Sequence, residues 1–165
     1  PQRTPDDAAI EVEREAVKAA LQVPEIAGPS FDAIPFDAYT DPDYSAVAAA
    51  VAATGGAAAA RVTGPAWLDL VAAECSRESA RAQLTALAVE PMRSVGEGDA
   101  HYVNAVMARL QEMATVRQVA NLKSKLQRMN PVEAPDEYTK VFGRLVALEA
   151  QARSLRERAM GGLTP

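Results

Sequence analysis

The most regular pattern in this sequence spans residues 138–159, which read YTKVFGRLVALEAQARSLRERA. Apolar side chains recur there at alternating steps of three and four residues, at Tyr138, Val141, Leu145, Leu148, Ala152, Leu155 and Ala159. This spacing places one side chain per turn on a single face, which is the seam by which two helices pack together. We expect Phe142 and Val146 to widen the seam.

A second long helix is predicted immediately before this one. Asp99 can cap a helix that runs to Asn130 and measures about 45 Å at 1.5 Å per residue. Its apolar stripe changes register along the axis, so we expect its first half to pack on the preceding residues. Its second half then pairs with the later helix, with Leu126 and Leu148 buried between them. The short turn at residues 130–135 makes the two helices antiparallel.

Proline and glycine divide the first hundred residues into shorter helices. Helix starts are predicted at Thr4-Pro5, Asp41-Pro42, Gly64-Pro65 and Ser76. The first helix is amphipathic, and the charged residues on the face opposite its apolar stripe are Glu11, Arg14, Glu15 and Lys18. The apolar residues expected to reach the core from the turns that follow are Ile26, Phe31, Ile34 and Phe36.

The predicted fold is therefore all-α. A small helical bundle occupies residues 1–99 and ends at the turn-rich residues 94–99. A long helix and an antiparallel C-terminal helical hairpin occupy residues 100–165. Convincing strand patterns and internal repeats are absent from the sequence.

The composition agrees with a helical chain and excludes several classes of site. Of the 165 residues, 35 are Ala, which has the highest helix propensity. One Cys excludes an internal disulfide, one His excludes a His-rich metal site, and no apolar stretch reaches the roughly 20 residues that span a membrane. The opening Pro1-Gln2-Arg3-Thr4 has no initiator Met and no apolar leader, so we expect a piece of a longer cytosolic protein.

Charge is divided unevenly along the chain, whose formal net charge is −5. Residues 1–100 carry 7 Lys and Arg against 16 Asp and Glu, whereas residues 101–165 carry 10 against 6. A basic tail is compatible with a nucleic-acid-binding helical domain, but an excess of four positive charges is weak for that role.

The sequence offers little for catalysis or for metal binding. It contains no GxxxxGKS, GxxxxGKT, GxGxxG or GxSxG motif. His101 has no Cys or second His at ligand spacing. Cys75 shares an apolar stripe with Trp67, where a buried and inert thiol is expected. The residues therefore favour an interaction module over an enzyme.

The last two predicted helices carry a basic surface that has two interpretations. Its members are Lys123, Lys125, Arg128, Lys140, Arg144, Arg153, Arg156 and Arg158. They are either solvated side chains with pairs inside one helix, such as Glu149 with Arg153, or a docking surface for an acidic or amphipathic partner helix.

Several segments resemble the C-terminal end of bacterial DnaG-type primases. They are YVNAVMARLQE (102–112), LKSKLQRMNP (122–131), LVALE (145–149), LRERA (155–159), ALQVP (20–24) and AGP (27–29). The high alanine content is most similar to that of actinobacterial members, and the resemblance covers essentially the whole chain. It implies the helicase-binding domain of the primase, in which a terminal helical hairpin docks on the N-terminal collar of a DnaB-type replicative helicase.

The resemblance implies a non-enzymatic module that couples RNA primer synthesis to unwinding at the cytoplasmic replication fork. The zinc and magnesium of the family belong to its N-terminal domains, so no cofactor is expected here. The implied partners are the helicase and the acidic tail of single-stranded-DNA-binding protein, with no membrane and no direct nucleic acid. A nucleic-acid-binding helical domain and a regulatory module of an unrelated ATPase stay as alternatives.

Candidate binding residues follow from the resemblance and from the chemistry of the hairpin. Tyr138, beside a turn that contains two prolines, offers an aromatic anchor with arginines and amides around it, the composition of an interface hot spot. The expected helicase-binding residues are Gln127, Arg128, Asn130, Tyr138 and Arg144 at the tip, with Arg153, Arg156 and Arg158 as a second patch. The expected site for the acidic tail is Arg77 with Arg81, four residues apart on one helix face.

Overall fold

The structure, a computed structural model, describes residues 5–93 and 100–161. Within these ranges every regular element is an α-helix or a short 3₁₀ turn, which confirms the all-α class. In chain order the α-helices are α1 (Pro5–Gln22), α2 (Pro24–Phe31), α3 (Pro42–Ala53), α4 (Ala60–Thr63), α5 (Trp67–Glu74), α6 (Glu78–Leu87), α7 (Ala100–Arg128) and α8 (Pro135–Gly161). The predicted caps at Thr4 and Asp99 and the predicted boundary at residues 94–99 lie outside the described residues.

The ends of α3 show how local chemistry sets the helix boundaries. The Asp41 carboxylate accepts the backbone N–H groups of Asp43 and Tyr44 at 2.8 and 3.2 Å, which caps the first turn. Gly55 and Gly56 follow the helix with φ angles of 93° and 89°, a left-handed conformation that glycine adopts readily. Helix α3 therefore begins and ends where the sequence predicts.

One apolar core joins the short helices to the first half of α7. Its buried members include Val17, Phe31, Ile34, Val47, Trp67, Leu87, Val103 and Leu110. Trp67 also donates its indole N–H to the Thr54 hydroxyl at 3.0 Å, so its polar atom is satisfied. The first half of α7 thus packs on the preceding residues, as predicted. The division of the chain into residues 1–99 and 100–165 stays a prediction.

Helices α7 and α8 form the predicted antiparallel hairpin. The buried residues of α8 are Val141, Leu145, Ala152, Leu155 and Ala159, all members of the predicted seam. Tyr138 is half-buried, and so are Leu126 and Leu148, which were predicted to be buried. The two helices are joined by ion pairs, which are Lys125–Glu137 at 3.6 Å, Lys123–Glu149 at 3.1 Å and Arg156–Glu112 at 2.9 Å.

Two predictions about apolar burial are wrong. Phe142 and Val146 do not widen the seam but lie beside it, 51% and 49% exposed, because each residue turns the helix by about 100°. Phe36 is 50% exposed, because the 3₁₀ turn at Phe36–Ala38 places Ala38 and Tyr39 in the core instead. These three side chains are available to other molecules.

Two residues of the charged face of α1, Glu15 and Lys18, are also buried, against the amphipathic prediction. Lys18 is 0% exposed, and its ammonium donates to the carboxylates of Glu15 at 2.6 Å and Glu90 at 2.9 Å. Hydrogen bonds from Lys18 and Arg14 lower the pKa of Glu90. The Tyr102 hydroxyl of α7 donates to Glu15 at 2.9 Å. This network ties α1 to the residues after α6 and to the start of α7.

No single helix within residues 5–93 and 100–161 is both long and apolar enough to cross a membrane. The bent pair Pro42–Ala53 and Ala57–Glu74 passes the same test of length and composition when taken together. Its Val47 and Trp67 belong to the buried core, which accounts for the apolar character of the pair.

Candidate functional site

The surface of the hairpin has two long sides. One side carries the Arg156–Glu112 and Lys123–Glu149 ion pairs, and we call it the outer side. The opposite side, which we call the bundle side, borders a pocket shared with the residues between α2 and α3. That pocket is lined by Ala33, Pro35, Ala38, Gln111, Ala114, Thr115, Gln118 and Gln151. At the start of α7 the outer side also borders α1, which lines a groove together with Ala105 and Arg109.

Helix α8 presents exposed apolar side chains on the outer side. Phe142, Glu149 and Arg156 follow one another at intervals of seven residues, and Val146 and Arg153 do the same one turn away. A spacing of seven is close to two helical turns, so these five residues share one side of the helix. Phe142 and Val146 therefore form an exposed apolar face. Arg153 lies on the same side of α8, seven residues after Val146.

Helix α7 adds to the same surface. Val116 is an exposed apolar residue that lies one turn after Glu112 and two turns before Lys123, both of which mark the outer side. We call Val116, Phe142 and Val146 the outer strip. Phe142 and Val146 are adjacent on α8, and the Lys123–Glu149 ion pair lies between them and Val116 along the hairpin. Exposed apolar groups of this kind are typical of a protein-binding site.

A buried carboxylate organises the charges beside the outer strip. Glu112 is 2% exposed and accepts hydrogen bonds from Arg109 at 2.6 Å and Arg156 at 2.9 Å. Burial alone would raise the pKa of Glu112, but the hydrogen bonds from Arg156 and Arg109 outweigh it and hold the pKa below its ordinary value. Two guanidinium groups thus share one carboxylate, which leaves positive charge at this end of the strip.

The predicted helicase-binding residues are nearly all exposed, but they do not form one surface. Tyr138 is half-buried, and the exposed ones are Gln127, Arg128, Asn130, Arg144, Arg153, Arg156 and Arg158. Glu137, Arg144, Gln151 and Arg158 are spaced by seven residues, so Arg144 and Arg158 lie on the bundle side. Arg153 and Arg156 lie on the outer side. The predicted pair of Glu149 with Arg153 is replaced by the pair of Glu149 with Lys123.

Arg77 and Arg81, predicted for an acidic tail, are exposed side chains that both bond to other residues of the bundle. The Arg77 guanidinium pairs with the Asp43 carboxylate at 3.1 Å. Arg81 donates to the backbone carbonyls of Cys75 at 2.8 Å and Ala72 at 3.3 Å, at the C-terminal end of α5. Cations at such an end satisfy carbonyl groups that the helix leaves unpaired.

A groove of about 230 Å³ between α1 and α7 offers a different combination of arginine and apolar groups. Its lining residues are Ala8, Glu11, Val12, Glu15, Arg93, Tyr102, Ala105, Val106 and Arg109. Arg93 pairs with Glu11 at 2.9 Å, and Arg109 bonds Glu112. The sequence did not indicate this groove, because its parts are about 90 residues apart along the chain.

Nothing in the described residues resembles a metal centre, since no three His, Cys, Asp or Glu side chains are grouped there to hold an ion. Cys75 is buried, as predicted, and burial raises the pKa of its thiol.

The comparisons with known proteins all find DNA primases. A family model described as "DNA primase DnaG DnaB-binding" matches residues 13–141. The DNA primase of Mycobacterium tuberculosis is 45% identical over 157 residues, which cover 95% of this chain and 24% of that primase. The DNA primase of Streptomyces coelicolor is 32% identical over 154 residues, which cover 92% of this chain and 24% of that primase. This chain therefore spans about a quarter of the length of the curated relatives it matches.

One solved structure is also similar to this chain, the helicase binding domain of primase from Mycobacterium tuberculosis. The two are 45% identical in sequence, and their TM-score is 0.74. The match covers 92% of this chain and 93% of that domain, so it includes both the bundle and the hairpin.

Proposed function

This chain belongs to the DnaB-binding family of DnaG-type DNA primases, and on that premise we propose that it docks on the replicative DnaB-type helicase. The observation that carries the proposal is the family match across residues 13–141, which runs from α1 into the start of α8. The exposed apolar side chains on the outer side of the hairpin support it, because they offer a contact that the chain itself leaves uncovered.

The proposed role is to hold a primase next to the helicase at the replication fork in the cytoplasm. Docking would replace a weak bimolecular encounter with a high effective concentration of primer-synthesising enzyme near newly unwound template. The chemistry, with any zinc and magnesium, would belong to the rest of the primase. We accordingly expect no primer synthesis by this chain alone, and a polymerisation assay with the purified chain checks this.

The test is a binding titration of this chain against the helicase hexamer of the same organism. We expect saturable binding, and we expect Tyr138→Ala to weaken it by about 1–3 kcal/mol, as for an aromatic residue near the centre of an interface. Phe36→Ala is the matched control, because Phe36 is an exposed aromatic residue on the bundle. Circular dichroism must show that both variants are folded, since Tyr138 also packs in the seam.

Two outcomes would contradict the proposal. One is a parent chain that does not bind the helicase at all. The other is steeply salt-dependent binding of DNA without any protein partner, which would favour the nucleic-acid-binding alternative.

For the acidic tail of single-stranded-DNA-binding protein, the structure suggests a second site besides Arg77 and Arg81. An acidic segment that ends in an aromatic residue needs cations beside an apolar groove. The groove between α1 and α7 offers Val12 and Val106 with Arg93 and Arg109 at its edges. We therefore propose this groove ahead of Arg77 and Arg81, because it places apolar side chains beside its two arginines.

The two tail sites are separated by a pair of double variants. We expect Arg93→Ala with Arg109→Ala to weaken binding of a tail peptide about 30-fold, because each of the two lost charge-assisted contacts costs about 1 kcal/mol. Arg77→Ala with Arg81→Ala serves as the comparison, measured by fluorescence anisotropy of the labelled peptide. If only Arg77→Ala with Arg81→Ala loses tail binding, the tail site is at Arg77 and Arg81 and not in the groove.

A further inference from the structure

We propose that the outer strip binds one amphipathic helix of the helicase. The apolar face of that helix covers Phe142 and Val146, and its acidic side chains contact the arginines beside them. The inference rests on the proposed helicase binding and adds the place and the chemistry of the contact. It is carried by the shape, the exposure and the charge of the outer side of the hairpin.

The shape argues for a helical partner. Two antiparallel helices pack along a single seam, and a straight furrow runs between them on each side. On the bundle side the furrow is bordered by Ala33, Pro35 and Ala38, so the bundle already occupies part of it. On the outer side Phe142 and Val146 are 51% and 49% exposed, so the furrow is open beside these two residues. A third helix laid in the outer furrow would complete a three-helix arrangement, which is a common way to cover an apolar strip.

The exposure identifies the anchors of the contact. Phe142 and Val146 are four residues apart, so their side chains are adjacent on α8 and both are about half exposed. Val116 of α7 is exposed on the same side, and the Lys123–Glu149 ion pair separates it from these two residues along the hairpin. Aromatic anchors buried at the centre of an interface are a usual source of a hot spot, so Phe142 is the main expected anchor.

The charge indicates an acidic partner. The outer side carries four cations, Arg109, Lys123, Arg153 and Arg156, against three carboxylates, Glu112, Glu149 and Glu157. Glu112 is shared by two arginines, and Glu149 is paired with Lys123. Arg153 is exposed and forms no ion pair with any other described residue, so its charge is available to a partner. A helix with acidic residues beside its apolar face complements this pattern.

The experiment is a titration of the helicase hexamer with the parent chain and with two double variants. We expect Phe142→Ser with Val146→Ser to weaken binding about 30-fold, the loss typical of hot-spot side chains. Val62→Ser with Val89→Ser is the matched control, because both valines are exposed on the bundle, and it should bind like the parent. The strip variants should remain folded by circular dichroism, since neither side chain belongs to the buried seam.

Two further measurements address the chemistry of the partner. Arg153→Glu should weaken binding more at low than at high salt, whereas the loss in the strip variant should change little with salt. A photoreactive phenylalanine analogue at position 142 should crosslink to a helical segment of the helicase that carries acidic residues. Crosslinking to a basic or extended segment would overturn the inference.

The outcomes distinguish this inference from the proposed function. A parent chain that does not bind the helicase overturns both. If the parent chain binds the helicase and the strip double variant binds equally tightly, the proposed function stays intact. Only the placement on the outer strip is then overturned.

Discussion

Replacing Lys18 by Met is expected to lower the free energy of unfolding by about 3–5 kcal/mol, the cost of breaking a buried ion pair by removing one partner. Lys18 is fully buried, and its ammonium bonds Glu15 and Glu90. Methionine fills a similar volume, so the packing changes little. The loss comes from the Glu15 carboxylate, which stays buried after its nearest cation is gone.

Urea unfolding of the two proteins measures this difference, with Lys125→Met as the matched control. Lys125 pairs with Glu137 at 3.6 Å, but both side chains are about half exposed, so that substitution should cost less than about 1 kcal/mol. Equal stability of Lys18→Met and the parent would mean that Glu15 finds compensation elsewhere, for example by tighter pairing with Arg93. The prediction would then be wrong.

Leu155→Ala is expected to destabilise the chain by about 2–5 kcal/mol, the range for a leucine removed from a packed interior. Leu155 is 1% exposed and lies in the seam between α8 and α7. Leu148 is on the same seam but only half-buried, so Leu148→Ala should cost roughly half as much, because less apolar surface is returned to water.

The comparison of these two leucine variants tests the packing of the hairpin. Chemical denaturation gives the two changes in stability, and hydrogen exchange shows where the protection is lost. We expect the loss of protection in Leu148→Ala to be confined to the hairpin. Equal losses of stability in the two variants would contradict the difference in burial between Leu148 and Leu155.

The sequence was sufficient to predict the elements with strong local signals. The seam from Val141 to Ala159 follows from spacing alone, because only one face of α8 can meet α7. The start of α3 at Asp41 and its end at Gly55 follow from capping chemistry, which depends on a few neighbouring residues. Such features need no knowledge of distant parts of the chain.

The structure differs from the sequence-based expectations, or adds to them, mainly where contacts join distant residues. Lys18 was placed on a charged face, but Glu90, far along the chain, supplies a partner that allows its burial. Phe142 was assigned to the seam because spacing defines the centre of an apolar stripe and not its width. Arg77 was chosen for its neighbour Arg81, whereas its carboxylate partner Asp43 comes from another helix. For the predicted binding residues, spacing could not show that Arg144 and Arg153 lie on opposite sides.

The continuity of α7 has a mechanical consequence. This one helix of 29 residues, about 43 Å long, has its first half in the core of the bundle and its second half in the hairpin. A force applied at the turn between α7 and α8 would be transmitted along α7 into the core, because α7 is one continuous helix with no flexible linker between its two halves. The module would then act as a stiff lever, so that a displacement at the hairpin tip becomes a rotation of whatever is attached to the bundle.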